Sequence, residues 1–406
     1  MKRLIYFTNS FPFGIGEQWK SNELKELVHH FEEIIILPYS YGGNKSRPVK
    51  VPEKIVVKPP FFESNTVSIP RWHLLPIIFN KRVFSFLKEF FRKKVFLNKG
   101  RYISWVTSTI TIIRLCKSKV LREILSQDPR NTILYFYWGR GTSEMLPYIN
   151  TSRFLKTFVR MHRYDLFEHN DNYIPYRSEM LNHISVAAPS SQAGKVHLME
   201  LYPKAKADIQ VFRCGTIGNG KIAQPSRNGT LQVVSCSLLS AVKRVHLIIE
   251  CLKYIDFPIL WRHIGSGPLR EELEELVKKE GVQDKFIFEG MMDSNKILDF
   301  YTDNTFDLFV NVSSSEGVPF SIMEAFSVGI PVMATNVGGT GEIVDDTVGK
   351  LLSADVDPKE LADKLKEFYL LNEEKKSTIR KNAYKKYQDV CDAQKLAKEL
   401  TYLLKS

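Results

Sequence analysis

From Leu231 onward the chain repeats one motif: a short apolar run, a loop, then a stretch of helical periodicity. The apolar runs fall at Leu231–Ser235, Ile259–Ile264, Lys285–Phe288, Leu308–Val312 and Pro331–Thr335. Helical patterns separate them near Val245–Leu252, at Leu269–Glu280 and at Asn295–Thr302, and a further helix is expected to start near Thr340. A chain that alternates strand and helix this strictly does not pair consecutive strands as hairpins. Each helix carries the chain back along the sheet, so successive strands run parallel and the product is a doubly wound α/β sheet.

The beginning of the chain follows the same plan. A strand is expected at Leu4–Thr8, then a glycine-bearing loop at Phe13–Glu17, a helix from about Gln18 to His30 and a strand at Ile34–Leu37. Strand-like runs recur at Thr132–Trp138, Thr157–Met161 and Val186–Ala188. Between Arg213 and Asn228 the sequence becomes glycine-rich and loses apolar content, as an interdomain linker would. At 406 residues the chain is long enough for two domains. The expected fold class is therefore α/β, with two Rossmann-like doubly wound domains, 1–212 and 213–385, facing each other across a cleft. The charged helical tail, 386–406, is expected to pack back on the first domain. Open α/β sheets bind ligands beyond the carboxyl ends of their strands, so such a cleft would hold a substrate of two parts.

Composition is that of a soluble globular protein, with 44% apolar and 25% charged residues. The five cysteines include no C-x-x-C pair, so they imply neither a disulfide framework nor a zinc site. The expected location is the cytoplasm. The opening MKRLIYFTNSFPFG reads as a first strand, its apolar run being too short for a signal peptide. Tyr102–Ile113, the longest uncharged stretch of interest, has 12 residues and is too short to cross a bilayer.

The net charge of +12 is concentrated in one place. Between Arg71 and Arg122 there are 13 Lys or Arg against one acid, Glu89, so this segment alone carries +12. Within it, residues 81–97 interleave five phenylalanines with basic side chains. One reading is an amphipathic helix with its Phe in the core and its Lys and Arg in water. The other is a basic surface resting on the anionic inner face of the cell membrane, with apolar side chains dipping into the interface. No nucleic-acid signature accompanies the charge, and no nucleic-acid partner is expected.

The segment Ser315–Pro331 holds two carboxylates, Glu316 and Glu324, amid apolar sequence. Glu316 falls in the loop after the expected strand Leu308–Val312. Pro319 suits a helix start and Gly329 a helix end, which puts Glu324 one turn into that helix. Carboxylates only accept hydrogen bonds and so grip pairs of sugar hydroxyls well. Gly317, Val318, Pro319 and Phe320 form a helix start, and the backbone N–H groups of all but Pro319 make it a site suited to an oxyanion or hydroxyl.

Glu316 through Val344 closely resembles the donor-binding region of glycosyltransferase family 4, retaining enzymes of the GT-B fold of the bacterial surface-polysaccharide type. Glu316 and Glu324 match that family's E-x7-E motif, and Val337–Val344 resembles its Gly-Gly diphosphate loop. The likeness continues at Ile264–Arg270, at Val242–Ile249, at Arg160–Leu166 in an R-x-H-x-x-D arrangement, and at Phe11–Glu17. The resemblance implies that Glu324 binds the nucleotide ribose and Glu316 the donor sugar. It implies that Lys243 balances the diphosphate, with amides of Gly338 and Gly339 and of Gly14 and Gly16, while Gly265 lies on the nucleotide side. His162 would approach the donor sugar, and His162 and Glu316 would be the catalytic pair. The first domain would then take the acceptor and the second the donor. A UDP- or GDP-sugar donor and a saccharide or lipid-linked acceptor follow, with no metal and no cofactor. Two departures stand out: Ser237 and Leu238 replace the family's Gly-Arg, and Arg163 replaces the glycine after His162.

Two other functions share this architecture: a nucleotide-sugar 2-epimerase, which needs no acceptor, and a catalytically silent carbohydrate- or partner-binding module. Asp355-Val-Asp357 has the D-x-D form of metal-dependent transferases, but it precedes Pro358 and reads as a helix cap. G-x-G-x-x-G is absent, which argues against a nicotinamide or flavin cofactor.

Overall fold

The apolar runs pair as parallel strands in two separate sheets. The structure, a computed structural model, describes residues 2–13, 17, 19–43, 45, 49–64, 74–167 and 173–405. Its internal contacts divide the chain into two units, residues 1–212 with 397–406, and Arg213–Leu396.

The first sheet contains β1 (Arg3–Thr8), β2 (Glu33–Pro38), β3 (Ile55–Val57), β4 (Thr132–Phe136), β5 (Lys156–Met161), β6 (Val186–Pro189) and β7 (Asp208–Ile209). Their spatial order is β3-β2-β1-β4-β5-β6-β7, all parallel. In β1, Ile5 lies opposite Ile35 and Leu134, and all three are buried. Each such side chain contributes about 1.5–3 kcal/mol by leaving water.

The second sheet contains β8 (Leu231–Cys236), β9 (Ile259–Ile264), β10 (Phe286–Gly290), β11 (Leu308–Asn311), β12 (Val332–Thr335) and β13 (Gly349–Leu352). Its order is β10-β9-β8-β11-β12-β13, again all parallel. Two cores cover its faces, one around Trp261, Val233 and Leu365 and the other around Phe309, Ile322 and Phe326. Both units are therefore Rossmann-like, as the alternation predicts. In each sheet the strand order reverses once, between β1 and β4 and between β8 and β11. A crevice opens beyond the carboxyl ends of the strands at such a reversal, because the flanking loops leave in opposite directions.

Several local expectations change. The segment after Thr340 is a short 3-10 turn, Thr340–Glu342, and the chain soon enters β13. Gly338, Gly339 and Gly341 lower its helix propensity. The glycine-rich stretch from Arg213 is no loose linker. Thr216 exchanges backbone hydrogen bonds with Cys391 and Ala393, and the Gly218 amide donates to the Tyr387 hydroxyl at 2.7 Å. A Cβ at Gly215 would lie 2.6 Å from the Cys391 carbonyl, so the glycines there permit close packing. Tyr387 and Cys391 belong to the second core, and Leu400 and Leu404 are buried in the first unit.

The basic segment is helical at Val83–Arg92, then turns through Lys94 (φ +49°) into a 3-10 turn at Val95–Leu97. Its single acid faces inward: Glu89 accepts from the Tyr176 amide and pairs with Arg92. Phe86 is buried, whereas Phe84 is 82% and Phe91 62% exposed. Among the described residues no helix is long and apolar enough to cross a membrane.

Candidate active site

The second unit gathers most of the residues singled out in the sequence at the β8/β11 reversal. The chain leaves β8 through Ser237–Ser240 and a turn at Ala241–Lys243, and leaves β11 through a loop ending at the helix Phe320–Ser327. A hydrogen bond from the Ser314 amide to the Val242 carbonyl, 2.8 Å, ties these two loops together. Lys243 Nζ donates to Glu316 Oε1 at 2.5 Å, and Asn311 Nδ2 approaches the same oxygen at 3.4 Å. Both partners of the ion pair are largely buried.

Arg244 adopts a left-handed backbone (φ +49°), which turns its side chain away from Lys243. Its guanidinium donates to the Val312 and Ser313 carbonyls at 2.7 and 3.3 Å. Thr335 Oγ1 donates to the Ser313 carbonyl as well. Arg244 thus braces the end of β11, and Leu238, one of the two departures noted in the sequence, is exposed.

Glycines let the neighbouring loops press against this pair. Gly338 (φ +57°) sits so close that a Cβ there would lie 1.8 Å from the Glu316 carbonyl oxygen. The next amide, of Gly339, donates to the Gly317 carbonyl at 2.6 Å. On the other side, a Cβ at Gly265 (φ +140°) would lie 1.9 Å from the Ser237 carbonyl. Beneath that loop Trp261 Nε1 donates to Ser235 Oγ, which contacts His263 Nδ1 at 2.8 Å, while His263 Nε2 lies 3.2 Å from the Ser237 carbonyl. Burial pushes His263 down to about 4, so the imidazole is neutral, and donation from Nε2–H to Ser237 completes the chain of bonds.

Glu324 lies on the helix Phe320–Ser327, whose opposite face (Ile322, Met323, Phe326) is in the core. Burial pushes its carboxyl up to about 7. Glu324 in turn helps burial raise Cys236 to about 12. Gly317, Val318 and Pro319 form the lead-in to the helix, with Phe320 its first residue, and Val318 is buried against the core.

His162 belongs to the first unit. It follows β5 and opens the helical turn Arg163–Leu166. Its amide donates to Asp165 Oδ1, the Gly139 amide donates to Asp165 Oδ2, and Arg177 holds the Asp165 carbonyl at 2.6 Å. Asp165 therefore joins the loops after β4 and β5, and burial raises it to about 6. The His162 ring stacks on Tyr137 and meets the Trp138 ring edge-on, each at 4.8 Å between centroids. Burial, then Arg160 and Lys20, hold its pKa well below the usual histidine value.

A buried ion pair supports that aromatic wall. Glu17 accepts from the Ser10 and Phe11 amides, both at 2.7 Å, from Lys20 Nζ and from Trp138 Nε1 at 2.5 Å. Lys20 Nζ stands 3.9 Å from the Tyr137 ring centroid. Gly14 and Gly16, the other expected phosphate-side residues, lie outside the described residues. Asp165, Lys20, Trp138 and Asn311 were not singled out as site residues in the sequence. Asp165 was the most accessible of these, standing at the end of R-x-H-x-x-D. Asp357 caps the helix Pro358–Tyr369 by accepting from the Lys359 and Glu360 amides, both at 2.8 Å. Among the described residues no group of three or more His, Cys, Asp or Glu could hold a metal ion.

Known proteins resemble this chain in sequence and in fold. Residues 220–386 match the family model described as glycosyl transferases group 1. Over 183 residues the chain is 28% identical to WcaL of Escherichia coli K12, a putative colanic acid biosynthesis glycosyltransferase, covering 43% of this chain and 45% of WcaL. It is 36% identical over 97 residues to LpsB of Rhizobium meliloti, a lipopolysaccharide core biosynthesis mannosyltransferase, covering 22% of this chain and 26% of LpsB. The chain thus matches less than half the length of these curated relatives. Whole-chain likeness is structural. Anabaena HepE in complex with UDP matches with a TM-score of 0.66 and 17% identity over 100% of both chains. The lipopolysaccharide outer core galactosyltransferase WaaB matches with a TM-score of 0.66 and 15% identity, also over 100% of both. The chain has the GT-B fold, and the match to the glycosyl transferases group 1 model falls within its second unit.

Proposed function

We propose that the chain is a retaining glycosyltransferase of family 4 type, moving a hexose from a nucleoside diphosphate sugar to an acceptor hydroxyl. The observation that carries this reading is the Lys243–Glu316 pair at the strand-order reversal, with Glu324 on the adjoining helix. In the proposed scheme Glu324 accepts from the ribose hydroxyls and Glu316 from the donor sugar. Lys243 turns to the diphosphate, where negative charge grows as the anomeric C–O bond breaks and the sugar becomes oxocarbenium-like. Amides of the Gly338–Gly339 loop assist it, and no resident metal takes part. A neutral His162 accepts a hydrogen bond from the sugar without placing a second positive charge beside that cation.

HepE is solved with UDP and with UDP-glucose, which puts uridine donors first and GDP-sugars second. The names of WcaL, LpsB and WaaB support an acceptor that is a lipid-linked or growing surface saccharide. Exposed Phe79, Phe84, Phe91, Phe96 and Leu97 among the basic residues of 74–122 support docking of the protein on an anionic membrane surface from the cytoplasmic side. The deciding experiment incubates the protein with UDP- and GDP-sugars, with and without lipid-linked saccharides, and reads nucleoside diphosphate release. Release that requires the acceptor, and survives a chelator, supports the proposal. Sugar isomerised without acceptor would identify an epimerase, and donor binding with no turnover a silent module.

A further inference from the structure

A pocket of about 540 Å³ opens in the first unit at the amino ends of β5 and β6, within the ~300–1,000 Å³ of ligand clefts. Open α/β sheets take their substrates at the other end, where His162 follows β5. The residues from Thr157 to His162, at about 3.3 Å each, separate the pocket from that end by about 17 Å. Two loops build it, 149–154 leading into β5 and 182–185 leading into β6. The Ser185 amide donates to the Thr157 carbonyl at 2.9 Å, and the Thr157 amide to Ser185 Oγ at 3.1 Å, which ties the two together.

None of the ten lining residues is Asp, Glu, Lys or Arg, although at the chain's 25% charged content a set of ten would hold about two or three. The charged residues beside them in sequence are engaged elsewhere. Arg153 donates to the Leu125 carbonyl at 2.9 Å and Lys156 to the Leu403 carbonyl at 2.7 Å. The lining offers neutral hydrogen bonds instead. Asn150 Oδ1 accepts from Ser152 and Asn182 Oδ1 from the Lys206 amide, which leaves both NH2 groups as donors. His183 Nδ1 lies 2.7 Å from the Glu179 carbonyl, so it carries the proton there, and in the neutral ring Nε2 is an acceptor.

Thr157 is the informative residue. It is 2% exposed, and its hydroxyl has no hydrogen-bond partner among the described residues. Buried hydroxyls are as a rule paired, so an unpaired one lining a pocket marks where a polar atom of a ligand belongs. Phe154 and Ile184, both buried, add apolar surface. An ionic ligand finds no counter-charge here. A sugar ring supplies what the lining lacks: hydroxyls that donate and accept at once, and C–H faces for Phe154 and Ile184.

We propose that this pocket is a second saccharide site, holding an uncharged stretch of a glycan chain at the opposite end of the sheet from His162. The assignment goes beyond the transferase reading and does not rest on it, since it uses none of Lys243, Glu316, Glu324 or His162.

The test titrates the full chain with maltotetraose, mannotetraose and tetra-N-acetylchitotetraose by saturation-transfer NMR, with a galacturonate tetramer as the anionic control. Thr157→Val keeps the shape and removes the hydroxyl, and Asn150→Ala removes an exposed amide. Expected is binding of at least one neutral tetrasaccharide, weakened by about threefold to tenfold in each variant, as for the loss of one neutral hydrogen bond. Thr157→Val should also melt no lower than wild type, because the lost hydroxyl bonds nothing among the described residues. No neutral tetrasaccharide bound by wild type would overturn the proposal. So would undiminished binding in Thr157→Val, tighter binding of the galacturonate tetramer, or a clear fall in the Tm of Thr157→Val, which would give its hydroxyl a partner inside the protein.

Discussion

Two glycine substitutions separate the strain of a backbone shape from the strain of a contact. Gly338 and Gly281 both lie in the second unit with left-handed backbones, φ +57° and +69°. Alanine in that conformation costs about 1–2 kcal/mol at either position. At Gly281 the new Cβ meets nothing within 4 Å, so the cost ends there. For a unit of this size that lowers Tm by about 2–8 °C, at about 2–4 °C per kcal/mol. At Gly338 the Cβ would start 1.8 Å from the Glu316 carbonyl and must withdraw to at least 3.0 Å. A retreat of about 1.2 Å breaks the 2.6 Å bond from the Gly339 amide to Gly317, removing a further ~0.5–1.5 kcal/mol. Gly338→Ala should therefore melt clearly below Gly281→Ala. It should also displace the loop that carries Glu316, and misplacement by about 1 Å costs on the order of a hundredfold at a reacting centre. Thermal melts of both variants with and without UDP read the two effects together. If Gly338→Ala melts like Gly281→Ala and keeps the wild-type UDP shift, the loops are not held by this contact and the reasoning is wrong.

Three further outcomes are expected. Because burial raises Glu324 to about 7, the folded unit binds an extra proton between about pH 4.5 and 7; stability should fall as pH rises through that window, and Glu324→Gln should remove that part of the slope. Urea titrations at several pH values would show it, and an unchanged slope in the variant would count against a buried Glu324. Lys243→Met should weaken UDP by about 10–100-fold, from the loss of about 1.5–3 kcal/mol in a charged hydrogen bond, but leave uridine nearly unaffected; equal losses for both in calorimetry would move Lys243 away from the diphosphate. Phe84→Ser with Phe91→Ser should reduce binding to anionic vesicles by about tenfold or more, since each inserted ring contributes about 1.5–3 kcal/mol. Vesicle sedimentation at low salt checks it, and retained binding would leave charge alone as the cause.

The alternation of strand and helix was legible because a parallel sheet needs continuous apolar runs, and ten of the 13 strands among the described residues appear as such. The edge strands β3, β7 and β13 did not, being short and partly exposed, with β7 only two residues long and β13 opening on Gly349-Lys350. The two glutamates were legible because charge inside an apolar segment has few structural explanations. Lys20 was not. At helical spacing from Glu17 it looks like a surface residue, but its ammonium is buried against the Glu17 carboxylate, which the Ser10 and Phe11 amides and the Trp138 indole hold in place, and over the Tyr137 ring. The phenylalanines of 81–97 were ambiguous for a related reason. Periodicity says which residues share a face but not which face meets the core, and Glu89 takes the inner position beside Phe86.

The division of the chain has a consequence for how it is made. The first unit is discontinuous: Ala397, Leu400 and Leu404 are buried in it, and Lys156 Nζ donates to the Leu403 carbonyl at 2.7 Å, yet these residues follow the entire second unit in sequence. On a ribosome the second unit has all of its residues first, although its synthesis begins later. The first unit, with its sheet already paired, waits with an uncovered apolar strip until residues 397–405 emerge. A stop codon near 396 would thus leave the second unit whole and fall hardest on the opposite end of the sequence.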